Sequence, residues 1–94
     1  MYTLEFTNPS KKDLKNIDKV DKIFIIDRLK EFEHLFNDDY EKALIQKGII
    51  KKLKGKKETI YRLKLRTYRV VYKKYEDKLI ILVLHVSTRE GAYK

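Results

Sequence analysis

The stretch TIYRLKLRTYRVVYKKYEDKLIILVLHV, residues 59–86, decides the fold. Tyr61, Leu63 and Leu65 alternate with Arg62, Lys64 and Arg66, the period of two that marks a half-buried strand. A tight turn near Thr67 leads into YRVVYKKY, and EDK makes a second turn. LIILVLHV, residues 79–86, is almost continuously apolar, as expected of a central strand covered on both faces. Residues 61–75 also carry Arg62, Lys64, Arg66, Arg69, Lys73 and Lys74 with no acidic residue among them. Alternation accounts for polar residues at these positions, but not for their single sign of charge.

Toward the N-terminus the pattern changes. YTLEF, residues 2–6, reads as a short strand with Tyr2, Leu4 and Phe6 on one face. Asn8 is placed to cap a short helix with Pro9 in its first turn, ending near Lys15 or Ile17. Asp18 would cap a second helix from Lys19 to about Phe36, whose Phe24, Ile25, Leu29, Phe32, Leu35 and Phe36 form one broad apolar face. NDDYEKALIQKG supports a loop or one short helix, and GIIKKLKGKKE a lead-in strand or loop punctuated by Gly48 and Gly55. The order β-α-α-β-β-β predicts an α+β domain, a small antiparallel sheet with an N-terminal helical hairpin packed on one face. The other sheet face is left to present charge.

Composition limits what such a domain can be. Ninety-four residues suit a single domain, 1–94, with one core. The absence of cysteine excludes disulfides and thiolate metal sites, and His34 and His85 do not have a metal-ligand spacing, so neither metal nor small-molecule cofactor is expected. There is no secretory leader pattern and no apolar run long enough to span a bilayer, so a cytoplasmic protein without membrane contact is expected. The net charge of +9 is unevenly placed. Residues 1–50 hold nine Lys or Arg against ten Asp or Glu, whereas residues 51–94 hold fourteen against four. The whole excess lies in the half that reads as sheet, which points to a polyanion such as nucleic acid. A basic surface that merely keeps the protein soluble is the competing explanation.

Three motifs, KKLKG, YRLKLRTYRVVY and VSTREGAYK, together resemble the RelE/ParE toxin superfamily, and the resemblance covers essentially the whole chain. It implies the same small antiparallel sheet with two N-terminal helices. The RelE branch consists of ribosome-dependent endoribonucleases that cut mRNA in the A site, and the ParE branch poisons DNA gyrase. Carried over by motif position, the RelE branch's basic strand pair falls on Arg62 and Lys64, the arginine of its next strand on Arg69, and its C-terminal arginine and aromatic on Arg89 and Tyr93. The resemblance also implies a partner, an acidic RelB-like antitoxin encoded nearby, besides the ribosome and mRNA.

Metal-free RNA cleavage needs activation of a ribose 2′-hydroxyl, stabilisation of the charged transition state and protonation of the leaving 5′-oxygen. Lys64 would be the general base, since the neighbouring cations Arg62, Arg66 and Arg69 disfavour its protonated form. Arg69 and Arg89 would hold phosphate oxygens through their planar forks. The resemblance also gives Arg89 the protonation of the leaving group, although arginine is a very weak acid. Tyr93 would stack on a base or orient the sugar. Lys51, Lys52, Lys54, Lys56, Lys57 and Arg66 would bind RNA phosphates.

Blander explanations compete for the same residues: a solvated sheet face for Arg62, Lys64 and Arg66, ion pairs with Asp77 or Glu90 for Arg69 and Arg89, and a frayed end for Tyr93. His85 reads more readily as a core or sheet-face histidine than as a catalytic one and stays off the site list, although it could face the same side as Arg89 and modulate it; Lys73 and Lys74 read as a solvated strand end. Three functions remain open at this point: a ribosome-dependent mRNA endonuclease, a gyrase-binding toxin, and an inactive RNA-binding relative.

Overall fold

A computed structural model describes residues 1–55 and 57–88. Strand β1 (Thr3–Phe6) is followed by helices α1 (Asn8–Lys15), α2 (Lys19–Leu35) and α3 (Asp38–Gln46). Strands β2 (Ile50–Lys54), β3 (Thr59–Leu65), β4 (Tyr68–Tyr75) and β5 (Ile80–Thr88) complete the described chain. The sheet order is β1-β5-β4-β3-β2. The α+β architecture with its basic antiparallel strands is as the sequence predicts.

Three details go beyond that expectation. First, β1 pairs with β5 in parallel, Thr3 opposite Ile80 and Phe6 opposite Val83, so the sheet is mixed. Second, NDDYEKALIQ forms a full helix. Asn37 accepts the Tyr40 N–H at 2.7 Å, and Asp38, Asp39 and Glu41 in the first turn favour the positive end of the helix dipole. The helix closes with the Gly48 N–H on the Ile45 carbonyl and the Ile49 N–H on the Leu44 carbonyl, a Schellman ending that requires φ of +78° at Gly48. Third, α1 is capped by Thr7 rather than Asn8. The Thr7 hydroxyl accepts the Ser10 N–H at 3.2 Å and donates to the Leu84 carbonyl at 2.9 Å, fastening the helix start to β5.

The core lies between the helices and one sheet face. Leu14, Ile25, Leu29, Phe32 and Phe36 meet Ile50, Tyr61, Leu63, Val70, Tyr72, Ile81, Val83 and Val86. Lys73 and Lys74 are adjacent, so alternation sends them to opposite faces, and neither is an unengaged strand end. Lys73 pairs with Glu58 at 3.1 Å. Lys74 points to the helix side and meets the Glu41 carboxylate of α3 at 2.7 Å, with side chains 9% and 6% exposed. The other Glu41 oxygen accepts the Tyr72 hydroxyl at 2.7 Å. Tyr61 stacks on Tyr72 with centroids 5.2 Å apart. The polar cluster therefore satisfies itself inside an aromatic wall and fixes α3 to the sheet.

This cluster contributes to a loss of stability at alkaline pH. Burial, then the hydrogen bond to Glu41, raises the Tyr72 phenol far above its ordinary value. For Lys74, burial pulls the ammonium down, but hydrogen bonding and charge attraction to Glu41 outweigh it and leave the value raised. Both groups hold their protons more tightly folded than unfolded. Their contribution is complete below the ordinary tyrosine and lysine values of about 10, and is lost as pH rises above them. These two groups are therefore expected to give no pH dependence near neutrality, where their stabilisation is complete, and to make stability fall above about pH 10. Tyr72→Phe should make that fall shallower in urea unfolding followed from pH 7 to 11.

Candidate nucleic-acid interface

Because Tyr61, Leu63, Val70 and Tyr72 face the helices, their neighbours Arg62, Lys64, Arg69 and Val71 face the other way. No described helix covers that open face. Register sets its rows. Lys51 lies opposite Arg62, and Arg62 opposite Val71, which lies opposite His85. In the next row Lys64 lies opposite Arg69, and Arg69 opposite Ser87. Directly opposed side chains in an antiparallel pair stand about 5 Å apart at Cβ, so Lys64 and Arg69 are immediate neighbours.

Arg69 is the most enclosed of the group, 8% exposed. Its Nη1 donates to the carbonyls of Tyr68 at 3.1 Å and Arg66 at 3.3 Å, both at the β3–β4 turn. These bonds orient the guanidinium before any ligand arrives. Lys64 is exposed and Arg62 partly so.

The other expected RNA contacts divide. Lys51 joins the open face opposite Arg62, and Lys57 is exposed in the β2–β3 loop. Lys52 lies opposite Tyr61, and Lys54 shares its side of β2, so both alternate to the helix side of that edge strand. Charge along an edge strand also blocks pairing with other chains. Arg66 is not brought to the face. It occupies the turn at φ +55°, and its guanidinium lies 3.9 Å from the Phe24 ring of α2. Beside it, the Tyr68 hydroxyl donates to Asp21 at 2.7 Å. That end of the strand pair therefore anchors α2. Lys56, Arg89 and Tyr93 lie outside the described residues.

The structure also places on the open face a residue that sequence reading kept off the site list. His85 is 61% exposed at its side chain, with Nδ1 3.4 Å from Asp13 Oδ2 of α1. The same carboxylate oxygen accepts the Val86 N–H at 2.9 Å. Nothing in the spacing of residues 13 and 85 signals this meeting, which depends on α1 lying along β5 beyond the end of β1. Among the described residues, no cluster of His, Cys, Asp and Glu could hold a metal ion, and no helix is long and apolar enough to cross a membrane.

No protein-family model matches the sequence. A Methanocaldococcus jannaschii protein that bears the provisional name toxin RelE1 is 45% identical over 49 residues, 52% of this chain. The match spans about half of that curated relative's length, 53%. The archaeal RelE–RelB complex from Pyrococcus horikoshii contains a chain that matches with a TM-score of 0.70 at 20% identity, over 97% of this chain and 98% of that one. A chain of the E. coli RelBE toxin–antitoxin complex matches with a TM-score of 0.67 at 22% identity, over 94% and 96%. The Mycobacterium tuberculosis RelBE2 toxin–antitoxin complex gives 0.66 at 23% identity, over 94% and 98%. As the strand motifs implied, the chain is RelE-like, in fold over nearly its whole length and in sequence over about half of it.

Proposed function

We propose that the chain is the toxin of a type II toxin–antitoxin pair and acts as a metal-independent endoribonuclease that cuts mRNA in the ribosomal A site. The observation that carries this reading is the open sheet face, where Arg62, Lys64 and Arg69 stand in adjoining cross-strand rows. Lys64 Nζ takes the 2′-hydroxyl proton. Arg69, already oriented by the turn carbonyls, and Arg62 hold the non-bridging phosphate oxygens as charge develops on them. Arg89 and Tyr93 extend the site by resemblance. Lys51, Lys52, Lys54, Lys56 and Lys57 grip ribosomal RNA phosphates without reading sequence.

A cationic site of this kind depends on how its substrate is held, and the ribosome supplies that positioning. The test is to incubate the purified chain with programmed ribosomes and map the mRNA ends. Cuts confined to the A-site codon are expected, and intact mRNA would overturn the reading. RelE–RelB partnership in the structural relatives supports an acidic antitoxin that folds over this basic protein. Co-expression with the adjacent small reading frame should restore growth.

A further inference from the structure

We propose that His85, oriented by Asp13, is the general acid that protonates the leaving 5′-oxygen, an assignment that rests on the ribonuclease reading above. Cleavage by 2′-hydroxyl attack moves two protons, and Lys64 accounts for one. As Lys64 takes the 2′-hydroxyl proton, the O2′–P bond forms and the P–O5′ bond breaks. His85 passes its proton to O5′. The products are a 2′,3′-cyclic phosphate and a 5′-hydroxyl, with Lys64 left protonated and His85 neutral.

Four observations carry the assignment. β5 is apolar almost throughout, yet the residue it turns to the open face at this row is an ionisable one. His85 shares a row with Arg62, and it lies one diagonal from Arg69, a separation of about 7–8 Å that long side chains bridge. Its ring is exposed, so a substrate can reach it. Asp13 is held by the Val86 N–H independently of the imidazole, and its 3.4 Å approach to Nδ1 is an ion-pair distance that draws a proton to that nitrogen. Nε2 is then the nitrogen left for chemistry, the arrangement by which a carboxylate orients a catalytic imidazole. Asp13 is a positioning residue.

The deciding experiment measures single-turnover cleavage of ribosome-bound mRNA carrying either oxygen or sulfur at the scissile 5′ position. A thiolate leaves without protonation. His85→Ala is expected to slow the oxygen substrate by about 10²-fold or more, while leaving the sulfur substrate near the wild-type rate and thermal unfolding unchanged. Asp13→Asn, which keeps an acceptor for Val86, should give a smaller loss, again confined to the oxygen substrate. Equal losses on both substrates, or an unimpaired His85→Ala, would overturn the assignment and leave the ribonuclease reading intact. If the wild-type chain cuts neither substrate, the ribonuclease reading fails and the assignment fails with it.

Discussion

Glu41→Ala is expected to lower the unfolding free energy by about 3–5 kcal/mol, the usual result of stripping one partner from a buried ion pair. The loss has two parts. The Lys74 ammonium, held at 2.7 Å and almost fully enclosed, loses its counter-charge, and the Tyr72 hydroxyl loses its acceptor. Urea unfolding gives the measurement, with an unchanged slope showing that the denatured state is unaffected. The double variant Glu41→Leu/Lys74→Met should recover most of the loss, because two apolar residues demand no counter-charge. A cost below about 1 kcal/mol for the single change would place the pair at the surface.

Lys64→Ala is expected to reduce ribosome-dependent cleavage by about 10²–10⁴-fold, the range for removing a general base. Its side chain is exposed, so unfolding should be unchanged. Arg69→Lys separates charge from geometry. The positive charge stays, but the fork that reaches the Tyr68 and Arg66 carbonyls is gone. Cleavage should therefore fall even in this charge-conserving variant. End mapping on programmed ribosomes reads both, and full activity in Lys64→Ala would exclude it as the base.

How far the sequence anticipates this site depends on the kind of signal each residue gives. Arg62, Lys64 and Arg69 are legible because a period of two assigns each a face once Leu63 and Val70 are taken as core. Arg66 continues the same period on paper, yet the turn's positive φ swings it onto Phe24, and periodicity carries no information about that torsion. Lys74 is hidden differently. Its place on the helix side follows from alternation, but its role depends on Glu41, 33 residues away on a helix whose polar sequence concealed it. The signal for that helix was present in Asn37 and the three acids after it. His85 and Asp13 lie farther apart still, and only the fold brings them together. Strand direction is equally silent, since a strand of four residues reads the same parallel or antiparallel.

The parallel pairing of β1 with β5 also constrains the order of assembly. Thr3–Phe6 are synthesised before their partners Ile80–Val83, which follow more than 70 residues later. Contacts of such sequence separation form slowly, because a long loop must close before they are rewarded. During synthesis β1 has no strand to join, and the row from Arg62 to His85 does not exist until β5 has docked. A nascent chain interrupted before β5 can pair Lys64 with Arg69 across the β3–β4 hairpin but lacks His85, so the row that runs from Arg62 to His85 is completed only after β5 is made.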